Sequence, residues 1–550
     1  MKLRTRFALY FHTLRYLKPA QVWGRVAFLL RSPQPDLRPA PSLRGLVAGW
    51  CAPVPREQSQ LAEGRFRFLN VEHEIASAEY WNSRALEKLW LYNLHYFDDL
   101  NARCSQTRLS WHLKLLSRWI AENPPGIGVG WEPYPISLRV VNWIKWCLAG
   151  NEPSDVVRHS LAVQLRFLSR RLEVHLLGNH LFANAKALLF GGLFFEGSEA
   201  ERWYALGKKI IGSQLGEQIL ADGGHFERSP MYHSLLLEDL LDLFNLHSAY
   251  GKPIDASWRE TIAKMSTWLS AMTHHDGEIA FFNDAANGIA PKAHELADYA
   301  KRLGMQPSLS QSVRPDLLGD SGYARIENGD AVILADVGSV GPDYLPGHAH
   351  AGTLSFELSL AGRRVLVNSG TSVYGNGTER QRQRGTAAHN TVRVDECDSS
   401  EVWSGFRVAR RARTFDVRYD DVTLSGRHDG YRRLPGKPIH SRQWTAVRNG
   451  VDIVDELAGR GPHLAELFFH IHPDWRPHLK GDAACELVSA DGSCCLLMHL
   501  EPRMAWRLEP STWHPQFGVS LPNFRLVGSQ RGELPLRFVT RLSWPCVSSS

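Results

Sequence analysis

The period of the apolar residues changes once along this chain, and that change bounds the fold more tightly than any other feature. From about residue 81 to 305 the pattern is helical, as in Leu161, Leu165, Leu168, Leu172 and Leu176, which follow the spacing of one buried helix face. Beyond Gly319, Leu354, Phe356, Leu358 and Leu360 alternate with Thr353, Ser355, Glu357 and Ser359, the period of a strand with one buried face. Asn328-Gly329 and Asn449-Gly450 each lie between β-type runs and suit hairpin turns, and further strands fall around Val365–Val367, Val392–Val394 and Val451–Val454. Successive helical hairpins without a strict repeat favour an α/α toroid or bundle. The predicted fold is multidomain α + β. An N-terminal helix and Pro-rich arm occupy 1–64, an α/α toroid (an incomplete barrel of helical hairpins) 65–312, and an antiparallel β-sandwich 313–550, with the join between about 305 and 320.

Composition narrows the function classes. With 43% hydrophobic and 22% charged residues, the chain is not mainly disordered, collagenous or a multi-span membrane protein. A net charge of +6 is too mild for a dedicated nucleic-acid binder but suits an enzyme that attracts a polyanion. The 18 Trp, 15 Tyr and 23 Phe exceed what packing usually demands and point to flat ligands such as sugar rings. Eight scattered cysteines without a CxxC pair indicate reduced thiols rather than a zinc ribbon or a disulfide framework. The apolar stretches of the N-terminus are broken by Arg4, Arg6, Arg15, Lys18, Arg25 and Arg31, and no cleavage site of a secretion signal follows. This segment reads either as an amphipathic helix on a membrane surface or as a helix docked on the protein's own helices. The expected location is cytoplasmic by default, with periplasmic or membrane association and contact with envelope polysaccharide machinery left open.

Five segments carry residue types suited to chemistry. In Leu177-Gly178-Asn179-His180-Leu181 the glycine precedes an amide and an imidazole that can face a cavity from a helix start. In Glu227-Arg228-Ser229-Pro230-Met231-Tyr232, Ser229 is a good N-cap and Pro230 a natural first helical residue. Tyr232 then falls in the first turn, where the positive end of the dipole favours phenolate and a general base. Gly347-His348-Ala349-His350 precedes the alternating strand, with Asn368, Tyr374 and His389 downstream; on an extended chain both histidines project to one side and could meet a substrate or a metal. Trp131, Glu132 and Tyr134, followed by Arg139, pair aromatic faces with a guanidinium, as an acidic sugar requires. Tyr92 and His95 lie in a similar aromatic run.

Taken in order, GNHLFANAKAL, GGHFERSPMYH, GHAHAGTLSFELSLAGRRVLVNSGT and AAHNTV resemble the heparinase II/III-like polysaccharide lyases, which are related to some alginate lyases, over roughly residues 80 to 480. The resemblance implies a toroid followed by a β-sandwich, and β-elimination on a uronic-acid polysaccharide. It implies that Asn179 and His180 contact the uronate carboxylate or assist proton transfer, that Tyr232 is base or acid, and that His348 completes the cleft. Tyr92, His95, Trp131, Tyr134, Arg139, Glu227 and Tyr374 are the substrate-binding candidates. It further implies zinc held by His350, Asn368 and His389, although the position matching the family's aspartate is the neutral Asn368. Two rival classes remain at this point. An inverting glycoside hydrolase would draw paired carboxylates from Glu132, Asp222, Glu227, Asp276 and Asp284; a non-catalytic glycan-binding or polysaccharide-biosynthesis accessory protein would keep an aromatic cleft and tolerate loss of Tyr232.

Overall fold

The computed structural model describes residues 3–305, 317–420 and 422–545, with side chains from Arg6 onward. The helical half is built from successive helices, among them Lys88–Tyr96, Pro133–Leu148, Asp155–Ser169, Gly178–Phe194, Ser198–Gln218, Pro230–Ala249 and Ala256–Ala271. Gly178–Phe194 packs closely on Ser198–Gln218 because a Cβ on Gly192 would stand 2.6 Å from the Tyr204 nitrogen, and one on Gly207 2.9 Å from the Ala185 carbonyl oxygen. Leu161, Leu165 and Leu168 are buried as the periodicity predicts, but their helix ends at Ser169, so Leu172 and Leu176 fall in the following loop. Trp81, Trp119, Trp143, Trp268 and Trp444 are fully buried, so packing absorbs much of the aromatic excess that composition assigned to flat ligands.

The β half is built on two large antiparallel sheets, with a two-stranded ribbon of Val402–Trp403 and Arg407–Val408 beside them and Val392–Val394 pairing on Pro462–Ile471. One runs, in spatial order, through Thr414–Tyr419, Thr423–His428, Ile439–Val447, Gly450–Ala458, Leu536–Ser543, Cys495–His499, Ala484–Ser489 and Trp475–Lys480. The other runs through Ala505–Trp513, Leu521–Glu533, Pro462–Ile471, Arg363–Leu366, Phe356–Leu360, Ala331–Asp336, Tyr323–Asn328 and Leu317–Leu318. Both predicted hairpin turns form one residue away from the expected dipeptide: Asn328 still pairs with Ala331, so the first turn centres on Gly329 and Asp330, and Gly450 already begins a strand, so the second centres on Arg448 and Asn449. The predicted alternating strand is shorter than expected, Phe356–Leu360, because Leu354 takes a positive φ.

That strand is also buried on both faces. Phe356, Leu358 and Leu360 fill the sandwich core, while Glu357 and Ser359 point at the helical half, each within 3.0 Å of a ring nitrogen of His274. An apolar cluster that includes Trp268, Phe282, Tyr323 and Leu334 closes the same junction, and the Trp268 indole donates to Ser321 Oγ at 2.8 Å. The two halves are therefore locked together, and side chains from both can meet along one seam.

The N-terminal arm contains more structure than its proline content predicts. Two helices, Leu3–Leu14 and Pro19–Leu30, precede an extended stretch whose amides reach helix ends of the toroid, Arg44 N donating to Phe194 O and Val47 N to Ala249 O, both at 2.9 Å. A three-stranded sheet, Gln60–Ala62, Arg65–Phe68 and Val71–Glu74, then sets Phe68 edge-on to Trp90.

Candidate active site

The helix Pro230–Ala249 starts as its sequence predicts: Ser229 caps it, accepting from Tyr232 N at 3.2 Å, with Pro230 in the first turn. Tyr232 thereby lies at the seam, its ring 4.0 Å from that of His348, which comes from the β half. The Tyr232 and Tyr374 hydroxyls share a 2.9 Å hydrogen bond. The predicted phenolate is not the resting form. Burial, then Tyr374 and the carboxylates of Asp284 and Glu227, push the Tyr232 phenol well above its ordinary value. Loss of solvation outweighs the field of one helix terminus.

His348 is held by Asp284, whose Oδ2 lies 2.8 Å from His348 Nδ1. His350 reaches the other oxygen of the same carboxylate, Nε2 to Oδ1 at 2.8 Å, so the two histidines do project to one side. The fully buried Arg380 guanidinium also grips Asp284, with Nη2 2.7 Å from Oδ2. Burial opposes ionisation of Asp284, but Arg380 and the two histidines hold its carboxyl well below the usual range. Backbone contacts fix this hub: Asp284 N donates to His348 O, and His350 N to Asn283 Oδ1, both at 3.0 Å. An anionic Asp284 keeps the proton of His348 on Nδ1 and leaves the Nε2 lone pair facing the seam.

Glu227 is the contrasting carboxyl. It is buried, its Oε2 has no hydrogen-bond partner among the described residues, and that atom lies 3.8 Å from His348 Nε2. Burial is the largest influence and raises its pKa despite His348 and His180 nearby. Gly178 makes room for it. A Cβ there would meet Leu345 at 2.5 Å and Glu227 Oε1 at 2.9 Å, and φ is +53°. Asn179 and His180 follow in the first turn of the next helix, both half-buried. His180 stacks on Tyr134 with ring centres 4.3 Å apart, and its Nδ1 lies 3.2 Å from Glu173 Oε1. Burial lowers the pKa of His180, but Glu173 overrides it and leaves a net rise.

Three substrate-binding candidates are buried in the packing of the toroid. Arg139 has no exposed surface; it donates to Gln164 Oε1, His95 O and Gly130 O and lies 3.9 Å over the Trp119 ring. His95 is enclosed between Trp81 O and the Trp119 indole, each 3.0 Å from a ring nitrogen, and burial drives its pKa down to about 3. Trp131 stacks on Trp119 and donates to Asn123 O, with an edge on a neighbouring cavity of about 440 Å³. Tyr92 lines that cavity with Glu132 and His180, and its hydroxyl donates to Glu132. The indole and guanidinium of that run serve helix packing because their polar groups find backbone acceptors inside the toroid.

Sequence reasoning named Asp284 only as a hydrolase carboxylate and passed over Arg380 and Glu173. Arg380 lies in the charged run Thr378–Arg384, which reads as a solvated helix, so no local signal marks it. Four of the five hydrolase carboxylates are already engaged by the protein, which leaves Glu227. Asp222 accepts from Ser321, Asp276 from Arg364, and Glu132 from Tyr92 and Lys88, while Asp284 is enclosed by its hub.

The implied zinc ligands converge only in part. His350 and His389 have ring centres 5.3 Å apart, and His389 Nδ1 lies 3.1 Å from Asn368 Oδ1. His350 Nδ1 and His389 Nε2 are buried without a partner, two nitrogens that a metal would need. The amide oxygen of Asn368 is taken up by His389, and no group of three His, Cys, Asp or Glu among the described residues is placed to hold an ion. Two imidazole nitrogens and a neutral amide oxygen that already accepts from His389 fall short of a zinc site, which takes about four donors.

Comparison with known proteins accounts for both halves of the chain. Residues 109–309 match the heparinase II/III N-terminus, and residues 311–544 the heparinase II/III-like C-terminal domain. FtsZ-localized protein C of Caulobacter vibrioides is 27% identical over 409 residues, 68% of each chain. A heparin-sulfate lyase of Bacteroides stercoris is 27% identical over 242 residues, 40% of this chain, and the match spans 36% of that lyase's length. The crystal structure of heparan sulfate lyase HepC from Pedobacter heparinus shares the fold, with a TM-score of 0.59 and 18% identity over 95% of this chain and 87% of that one. The chain belongs to the heparinase II/III-like family.

Proposed function

We propose that this protein is a polysaccharide lyase that cleaves a uronic-acid-containing polymer, of glycosaminoglycan type, by β-elimination. The observation that carries this reading is the meeting of Tyr232 and His348 at 4.0 Å across the seam, beside the unpartnered carboxyl of Glu227. Elimination needs a base for the proton on C5, an acid for the leaving O4 and relief of charge on the uronate carboxylate. His348, with its Nδ1 proton on Asp284, offers the Nε2 lone pair as base. Tyr232, a phenol at rest, is the acid. As the C5 proton passes to His348, its electron pair forms the C4–C5 double bond, the C4–O4 bond breaks, and O4 takes the phenolic proton. Tyr374 donates to the nascent phenolate, and proton return from His348 resets the site.

The uronate carboxylate faces Glu227, Asn179 and His180. A protonated Glu227 donates a hydrogen bond where a carboxylate would repel, and the His180–Glu173 pair brings a proton of higher affinity than a free imidazole. Heparin-sulfate lyases of three organisms are among the relatives, and the polymer they are named for supports this substrate class. FtsZ-localized protein C is named for a location and not for a reaction, so the choice between catalysis and an accessory role rests on this chain's own constellation.

The test is incubation with a panel of uronate polymers, followed by ultraviolet absorbance and product mass. Unsaturated products are expected. Products that gain one water would establish a hydrolase, and absence of any cleavage across pH would favour the glycan-binding reading.

A further inference from the structure

The two N-terminal helices are amphipathic in the wrong sense for a segment that merely docks on its own protein. In Pro19–Leu30 the inward face is Gln21, Gly24 and Phe28: Gln21 donates to Tyr344 O at 3.1 Å, Gly24 rides over the backbone of His175, and the Phe28 ring lies 4.4 Å from His175. The outward face is Val22, Trp23, Val26, Leu29 and Leu30, with Trp23 72% and Leu30 80% exposed. Leu3–Leu14 repeats the arrangement. Thr13 accepts from the Trp403 indole on the inner side, while Phe7, Phe11 and Leu14 are exposed at i, i+4 and i+7. Elsewhere exposed large apolar residues occur singly or in pairs; here they form a stripe on consecutive helices.

Charge identifies what covers the stripe. Lys2, Arg4, Arg6, Arg15, Lys18, Arg25 and Arg31 all precede the first acidic residue, Asp36. Of these Lys18 is spent on Glu217, whereas Arg6, Arg15 and Arg31 are exposed, and Arg25 is exposed at the cavity edge. Two copies of the chain meeting through this face would bring like charges together. An anionic bilayer surface supplies the complement, with apolar side chains in the acyl boundary and guanidinium groups at the headgroup phosphates. Each helix has only 12 residues, and no described helix is long and apolar enough to cross a membrane, so the geometry is that of lying on the surface.

We propose that the helix pair Leu3–Leu14 and Pro19–Leu30 binds an anionic lipid surface. The arm also carries Arg25 and Phe28 into the lining of the 440 Å³ cavity that includes His180, so docking sets one end of the cleft beside the bilayer. The proposal stands apart from the catalytic reading, since lipid binding and cleavage are measured separately.

The test is sedimentation of the full chain with phosphatidylcholine vesicles, with and without phosphatidylglycerol, across a salt series. The protein is expected to pellet with the anionic vesicles and to be released by salt. The double substitution Trp23→Glu and Leu29→Glu, at positions that touch neither Tyr232 nor His348, is expected to weaken binding at least about tenfold while circular dichroism and cleavage of a soluble oligosaccharide are unchanged. Equal pelleting with neutral and anionic vesicles, or none with either, overturns the proposal whether or not the variant folds. A wild-type dimer in solution that the double substitution dissolves, with no vesicle binding, would assign the face to a second copy of the chain.

Discussion

Two clusters, one inside the toroid and one on its seam with the β half, both combine aromatic and titratable side chains and differ in what their polar atoms do. The cluster of Arg139, His95 and Trp119 mixes a cation, an imidazole and indoles, as a sugar site would, yet the guanidinium is bound by Gln164 and two backbone carbonyls, and both His95 nitrogens are occupied. The seam at Glu227, Tyr232 and His348 also sets an imidazole against an aromatic ring, but there one carboxyl oxygen has no hydrogen-bond partner and lies 3.8 Å from His348 Nε2. Burying a polar group without a partner costs stability, and where such an atom borders a cleft a ligand can satisfy it. Residue type alone does not separate the two regions; the fate of each donor and acceptor does.

The sharpest way to break the contrast is to remove the reacting proton from one region only. Tyr232→Phe keeps the buried ring and deletes its hydroxyl, so kcat is expected to fall ~10²–10⁴-fold with the fold retained. Steady-state rates and circular dichroism on the same preparation check it. A variant with near-normal kcat would remove Tyr232 from proton transfer and leave the seam no more reactive than the Arg139 cluster.

Arg139→Ala is the matching cut in the other region, and its effect belongs to stability. It strands the carbonyls of His95 and Gly130 and opens a cavity against Trp119, a loss on the order of 3 kcal/mol. Denaturant titration is expected to show this loss while kcat/KM of the folded fraction is unchanged. A tenfold fall in kcat/KM at full folding would return Arg139 to the substrate.

A smaller effect distinguishes the two carboxyls of the seam. Glu227→Gln retains a neutral hydrogen-bond donor, so at low pH kcat/KM should change by less than about tenfold, whereas Glu227→Ala should lose more. Wild-type activity is expected to decline as pH rises through the elevated Glu227 pKa, and the Gln variant to lack that limb. The linked stability has the same sign. A carboxyl whose pKa is raised by folding supports the fold below its unfolded value, and that support is lost as pH rises through the folded one. Asp284 runs the other way. Its depressed pKa gives stability that is present above the unfolded value and lost as pH falls toward the folded one, so acid unfolding should begin near the usual carboxylate range. Superimposable pH profiles for wild type and Glu227→Gln would show that Glu227 is not the group that titrates.

How much of this was legible in the sequence follows from the range of each interaction. The capped start at Ser229-Pro230, the helix beginning at Gly178, the common side of His348 and His350 and the change from helical to strand period are local, and the structure has each of them. The hub is not local. Arg380 and Asp284 are 96 residues apart, and nothing in a charged helix predicts that one arginine turns inward to hold a carboxylate. The protonation of Tyr232 was misread for the same reason, because a helix dipole can be read from seven residues whereas burial needs the whole seam. The small sheet at the junction of the Pro-rich arm and the toroid escaped because its strands are only three or four residues long.

The smallest expected effect concerns metal, and it extends the comparison to a third place where polar atoms lack partners. His350 Nδ1, His389 Nε2 and Asn368 Nδ2 are buried and unpartnered, as Glu227 Oε2 is, but they lie behind His348. Burial lowers the pKa of both histidines, His350 to about 4, so at neutral pH they are uncharged rings, and His389 spends its Nδ1 on Asn368. An aspartate in place of Asn368 would add charge and a free oxygen; the amide adds neither, and zinc is left with two nitrogens of the roughly four donors it takes. We therefore expect this group to act as a brace for the Asp284 hub. Exhaustive chelation should leave kcat, Tm and the Tyr232-dependent product spectrum unchanged, and elemental analysis of protein purified without added metal should find no stoichiometric zinc. His389→Ala should lower Tm and, by loosening His350 and Asp284, reduce kcat less than Tyr232→Phe does. Zinc at one equivalent, with Tm falling on its removal, would show that the unpartnered nitrogens serve a cation after all, and that an unsatisfied atom in this fold marks a ligand even away from the cleft.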